Sequence, residues 1–113
     1  MNEESLKKEV KEDALYLTVL GEIDHHSAKK LREEIDAALF YHRPKTLYLV
    51  LSEVSFMDSS GLGLLLGRYT RMKELGGQMV IVRPTRQIKK ILTLAAMDKT
   101  LPIDDGNKKG NEK

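Results

Sequence analysis

The stretch VSFMDSSGLGLLLGRY, residues 54–69, is where this chain concentrates residues able to do chemistry. Asp58 is followed by Ser59 and Ser60, and Gly61, Gly63 and Gly67 lie within the next seven positions. A helix N-terminus needs one capping side chain, and Asp58, Ser59 and Ser60 can each supply it. A serine at a helix N-terminus also suits phosphate addition, because backbone N–H groups and the helix dipole favour negative charge there. A phosphate adds about −1.5 to −2 charge and alters a surface without requiring the fold to change.

Other chemistries fit less well. A hydrolase elbow would read G-x-S-x-G, and this stretch does not. Asp24, His25 and His26 would complete a Ser/His/Asp composition, but consecutive side chains point in different directions and no oxyanion motif accompanies them. The glycine spacing G-x-G-x-x-x-G is one residue too long for a dinucleotide fingerprint, and no P-loop lysine is present. Adjacent histidines seldom share one ion, and no third histidine or cysteine is spaced to help His25 and His26 hold a metal. The expectation is no catalytic residue, no cofactor and no metal.

The glycines pose a separate question. At roughly 100° per residue, Leu62, Leu65, Leu66, Tyr69 and Met72 share one arc of the helix, the stripe expected to face a sheet. Ser60, Gly63, Gly67 and Thr70 share another, beside Ser59. Gly63 and Gly67 therefore form a flat strip running away from the serines. Each costs the helix about 1 kcal/mol against alanine. Either a neighbouring helix packs closely on that strip or another protein docks there.

The elements that must position these residues follow from pattern and punctuation. Residues 4–11 are weakly patterned and suit an edge strand. ALYLTVLG, 14–21, is β-rich and ends on glycine. DHHSAKKLREEIDAALF follows, with Leu31, Ile35, Ala38 and Leu39 at helical spacing and Ser27 as the expected cap. TLYLVL, 46–51, is so apolar that it suggests a central strand covered on both faces. The serine helix then runs to about Leu75 and stops at Gly76 and Gly77. QMVIV, 78–82, is another strand. Pro84 sits where a third helix begins, with Ile88, Ile91, Leu92 and Ala95 as its stripe. TLPI, 100–103, suggests a last short strand.

The order β-β-α-β-α-β-α-β implies an α/β fold, a single mixed, mostly parallel sheet with helices packed against it. Its working site belongs at the carboxyl ends of the strands. Two loops there carry unusual residues, GEIDHHS and SEVSFMDSSG. One domain is expected over residues 1–103. DDGNKKGNEK, 104–113, has no apolar residue and is expected to be disordered.

Composition narrows the partners. With 113 residues the chain suits one domain with a real core. It has no cysteine, which excludes disulfides and fits a reducing compartment. No apolar run approaches the roughly 18 to 20 residues of a membrane span, and MNEESLKKEV does not read as a signal peptide. A cytoplasmic location is expected. The net charge of +2 is too small to argue for nucleic acid. Arg83, Arg86, Lys89, Lys90 and Lys99 form a basic cluster without an interleaved aromatic, the composition of a solvated face.

GEIDHHSA together with VSFMDSSGLGLLLGRY resembles the anti-sigma factor antagonists of the STAS domain family, sporulation type, over residues 5 to about 103. The resemblance implies a phosphorylation switch rather than an enzyme. The unmodified form would bind an anti-sigma factor that is also a serine kinase, freeing the sigma factor. The kinase would phosphorylate Ser59, and a serine phosphatase would reverse this. Asp24 and Asp58 are implied in partner contact, and Ser60, Gly61, Leu62, Gly63 and Gly67 in the docking face. Neither nucleic acid nor membrane is an implied partner, and the free protein is expected to be a monomer. The alternatives are a STAS switch on a stress-type sigma factor pathway, or a small nucleotide-binding module. Family members commonly close with an amphipathic helix, for which residues 104–113 offer no apolar stripe.

Overall fold

In a computed structural model, which describes residues 5–106, the chain forms seven strands and three α-helices. Strand β1 (Leu6–Lys11) turns back through Glu12, in the left-handed region at φ 54°, into β2 (Ala14–Val19), its antiparallel partner. Then come β3 (Gly21–Ile23), α1 (Ala28–His42), β4 (Thr46–Val50), β5 (Val54–Met57) and α2 (Ser59–Glu74). The described chain closes with β6 (Gln78–Val82), α3 (Arg86–Leu94), a 3-10 turn (Met97–Lys99) and β7 (Ile103–Asp104). The mixed, mainly parallel sheet agrees with the sequence reading. The last strand reaches Asp104, one residue past the expected boundary, and the rest of the tail beyond Gly106 lies outside the described residues.

The main sheet runs β1-β2-β4-β6-β7, parallel throughout except for the β1 edge. Each parallel crossover advances one place in the same direction. Right-handed crossovers that never reverse direction put all their helices on one face. The core follows: Leu15, Leu17, Leu47, Leu49, Met79 and Ile81 meet Leu31, Ile35, Leu65, Met72, Ile88 and Leu92 in one buried cluster. Full burial of each such side chain is worth about 1.5–3 kcal/mol. Strand β4 is therefore not covered on both faces, as its apolar run suggested. Tyr48 is only half-buried on the opposite face and stacks on Tyr16, ring centroids 4.5 Å apart.

Helix ends are set locally. α1 stops where Arg43 adopts a left-handed conformation, its N–H donating to the Leu39 carbonyl at 2.8 Å, and Pro44 prevents continuation. α2 ends in a Schellman arrangement, with Gly76 at φ +84° donating to Lys73 and Gly77 donating to Met72. A Cβ on Gly77 would come within 2.7 Å of the Lys45 carbonyl oxygen, so this end of α2 closes directly onto the chain entering β4.

The two shortest internal strands were not anticipated. β3 and β5 form a separate two-stranded parallel sheet out of what reads as loop on both sides. Gly21, at φ +88°, bends the chain away from β2, and β5 follows the turn after β4. The neighbours β2 and β4 thus leave the main sheet and pair again beyond the bend.

Candidate functional site

The small sheet determines where the chemistry sits. Its register ends on the pair Ile23↔Met57, and the Asp58 N–H donates to the Ile23 carbonyl at 3.2 Å. The residue after each strand is an aspartate; Asp58 caps α2 directly, while Asp24 opens the turn that leads into α1 at Ala28. Two carboxylates far apart in sequence are thereby carried on adjacent paired strands at one edge of the molecule.

At the first junction, the Asp24 carboxylate accepts from the backbone N–H of His26 at 2.9 Å and of Ser27 at 3.0 Å. Ser27 Oγ accepts from the Asp24 N–H at 3.0 Å and donates to the Glu22 carbonyl at 2.9 Å. Ser27 occupies the cap position, but its side chain makes no capping bond to the helix. The Asp24 carboxylate instead holds the two amides that precede the helix, and the serine braces the turn. The Ser27 N–H holds the Asp24 carboxyl below its ordinary value against an opposing push from desolvation. The His26 N–H, the Ser27 hydroxyl and positive charge on His26 lower it further.

At the second junction, Asp58 is the cap of α2. Its backbone is extended and its carboxylate accepts from the Ser60 N–H at 2.8 Å. Neither serine caps the helix through its hydroxyl, so capping explains neither Ser59 nor Ser60. Ser59 opens the helix and is exposed; Ser60 is half-buried.

The three glycines separate into two kinds. Gly61 is buried, and a Cβ there would run into the Met57 side chain, with Sδ at 2.7 Å and Ile23 Cγ2 at 3.1 Å. It lets the first turn of α2 rest on the Ile23–Met57 pair. Gly63 and Gly67 have no atom within 4 Å of a built Cβ, so no neighbouring helix packs against their Cα atoms. They border a groove of about 440 Å³ between α1 and α2, with Ser60 at its edge. Leu62 is half-buried against the core. The buried stripe of α2 contains Leu64 rather than Leu66, which is 38% exposed.

Sequence reasoning missed the basic side of that groove: Lys29 and Arg32 from α1, and Arg68 from α2. Their spacing matches an ordinary solvated face, and only the packing of α1 against α2 brings them together. Among the described residues no group of three side chains is arranged to hold a metal, and no helix is long and apolar enough to cross a membrane.

Comparison with known proteins agrees with this geometry. Residues 5–108 match the STAS domain family, and the chain belongs to it. The anti-sigma F factor antagonist of Paenibacillus polymyxa is 34% identical over 91 residues, 80% of this chain and 78% of that protein. The anti-sigma-B factor antagonist of Bacillus subtilis is 27% identical over 92 residues, 81% of this chain and 83% of that protein. Among solved structures, the anti-sigma factor antagonist SpoIIAA in its unphosphorylated form has a TM-score of 0.73 at 27% identity, covering 87% of this chain and 86% of that one. The phosphorylated form of Bacillus SpoIIAA has a TM-score of 0.67 at the same identity, covering 87% of this chain and 89% of that one.

Proposed function

We propose that this protein is an anti-sigma factor antagonist controlled by phosphorylation of Ser59. The unmodified form binds an anti-sigma factor that is also a serine kinase, and so frees a sigma factor; phosphate on Ser59 ends that binding until a phosphatase removes it. One observation carries the reading: Ser59 stands exposed on the first turn of α2, uninvolved in capping because Asp58 does that work, beside an open glycine strip. The likeness to antagonists of the F type supports it. The 27% identity to an anti-sigma-B factor antagonist favours a second reading, the same switch in a stress-type pathway.

The switch acts locally. A phosphate on the first helical turn gains about 0.3–1 kcal/mol from the dipole when exposed. Repulsion from Asp58 in high-dielectric solvent is of similar order and opposes it. In the free protein these nearly cancel. Against a partner they do not, because a dianion pressed into an interface loses hydration that only well-placed cations restore.

The test is to purify the chain with the anti-sigma factors of its own organism, measure binding, then add ATP and map the product by mass spectrometry. One phosphate on the peptide containing Ser59, with release of the complex, is expected. Unmodified chain that binds none of them, or turns over a small molecule alone, overturns the reading. Backbone amide spectra of the two forms should differ only around residues 24 and 58–63; shifts across the Tyr16–Tyr48 face would end the local account.

A further inference from the structure

We propose that the groove between α1 and α2 receives an acidic segment of the protein partner, with Lys29 and Arg32 as the residues that recognise it. This rests on the functional reading above and adds the chemistry of the surface that must meet this one. The groove has a floor without side chains at Gly63 and Gly67 and a wall carrying Lys29, Arg32 and Arg68. Not one residue lining it is acidic.

The charges differ in how they are matched. The Arg68 side chain is largely buried and paired with Asp36 of α1, so that cation is neutralised and fixed across the two helices. Lys29 and Arg32 are exposed and make no ion pair among the described residues. Elsewhere Lys11, Lys45, Arg71 and Lys89 each stand within 4.0 Å of a carboxylate, while Lys7, Lys8, Lys30, Arg43, Lys73, Arg83, Arg86, Lys90 and Lys99 do not among the described residues; what sets Lys29 and Arg32 apart is their place on the wall of the groove. Two unmatched cations one helical turn apart, above an empty floor, form a site complementary to carboxylates.

The geometry favours a chain of carboxylates over a small anion. A free phosphate is best held by converging backbone amides. Of the helix-terminal amides beside the groove, that of Ser60 is already taken by the Asp58 carboxylate and that of Ala28 by the Asp24 carbonyl. What remains is a row of side-chain cations along α1 and room for a backbone to lie against Gly63 and Gly67. Ser60 lines the same groove, so a segment seated there passes directly beside Ser59. Phosphate on Ser59 would then place about −1.5 to −2 charge next to bound carboxylates and assist release.

The experiment uses the full chain and the anti-sigma factor found to bind it. Lys29→Glu/Arg32→Glu should weaken binding at least about tenfold near 0.1 M salt, mainly through slower association. Raising salt to about 0.5 M should weaken the unaltered chain and leave the variant nearly flat. Lys7→Glu/Lys8→Glu on β1 makes the same net charge change and should alter affinity less than about twofold. Lys29→Gln/Arg32→Gln, with the helix checked by circular dichroism, should give an intermediate loss and covers any misfolding of the reversal. Equal losses in groove and β1 variants, or none in the groove variants, overturn the inference while leaving the functional reading standing. Saturation of amide shifts at residues 29 and 32 by micromolar ATP or inorganic phosphate would also overturn it, marking a small-anion site. Failure of the unaltered chain to bind any anti-sigma factor overturns the functional reading, and this inference with it.

Discussion

The two strand-to-helix junctions of this protein begin alike and end differently. Each runs from a strand of the small sheet through an aspartate into a helix, Ile23-Asp24 into α1 and Met57-Asp58 into α2. At the first, the serine three residues on is consumed by local bonds to Glu22 and Asp24. At the second, the aspartate caps alone through the Ser60 amide, and an exposed hydroxyl stands next to it. A carboxylate accepting from backbone amides yields a braced turn before one helix and a capped helix with a presented serine at the other. A serine beside a helix start is therefore informative only once the group that caps the helix is known.

The largest expected difference is chemical. Ser59→Ala should abolish phosphorylation while leaving the melting temperature and partner binding intact. Ser27→Ala should leave phosphorylation intact and cost about 1–2 kcal/mol, for the hydrogen bonds its hydroxyl makes. Phosphopeptide mapping beside thermal melts reads both. Full phosphorylation of Ser59→Ala, with none of Ser60→Ala, would move the acceptor by one residue and break the contrast.

The glycines give the next largest effect. Gly61→Ala should destabilise by about 1–3 kcal/mol, because the added methyl meets Met57 and Ile23. Gly63→Ala should stabilise by up to about 1 kcal/mol, since its Cβ enters open space in a helix. Gly63→Leu and Gly67→Leu should remain at least as stable as the unaltered chain and bind the partner less tightly. Chemical denaturation beside binding titrations would expose any reversal of these signs.

Smaller still is the contrast between the aspartates. Asp58→Ala should cost about 1 kcal/mol of cap energy. Asp24→Asn keeps an acceptor for the amides and should melt close to the unaltered chain. Its expected defect is in partner binding or phosphorylation; if both are normal, Asp24 is a brace and nothing more. The acid dependence refines this. The folded Asp24 carboxyl sits below its ordinary value of 3.8, so its charged form stabilises fully above that value and the contribution is lost as pH falls through the lowered one. The stability difference between Asp24→Asn and the unaltered chain should stay constant from pH 7 to about 5 and begin to change only below about 3.8. A change between pH 5 and 7 would place a different group in charge.

Much of the architecture was legible because its signals are local. The stripe Leu31, Ile35, Ala38 and Leu39 is buried as its spacing requires, and β2, β4 and β6 lie where apolar runs meet turn residues. What escaped depends on residues distant in sequence. β3 and β5 have three and four residues, too few for a period to show, and exist only by pairing with each other. The open side of the sheet follows from strand order, which no single segment carries. Leu64 is buried in place of Leu66 because α2 meets α1 as well as the sheet. Ala95 falls after the end of α3 and is exposed. At the site, the aspartates, the serines and the open glycines were visible as residue types. The groove was not, because half of it belongs to another helix.

The pairing of Ile23 with Met57 has a consequence for recognition. Only a completed chain brings the two junctions together, since the strands that join them have no stability as isolated segments. A partner that needs both aspartates is reading a discontinuous epitope. A synthetic peptide of residues 54–69 holds Ser59 and all three glycines, yet it lacks the neighbouring strand that fixes their attitude. If the partner reads both junctions, the linear motif is an address that becomes readable only after folding, and unfolded copies of the protein should not compete for it.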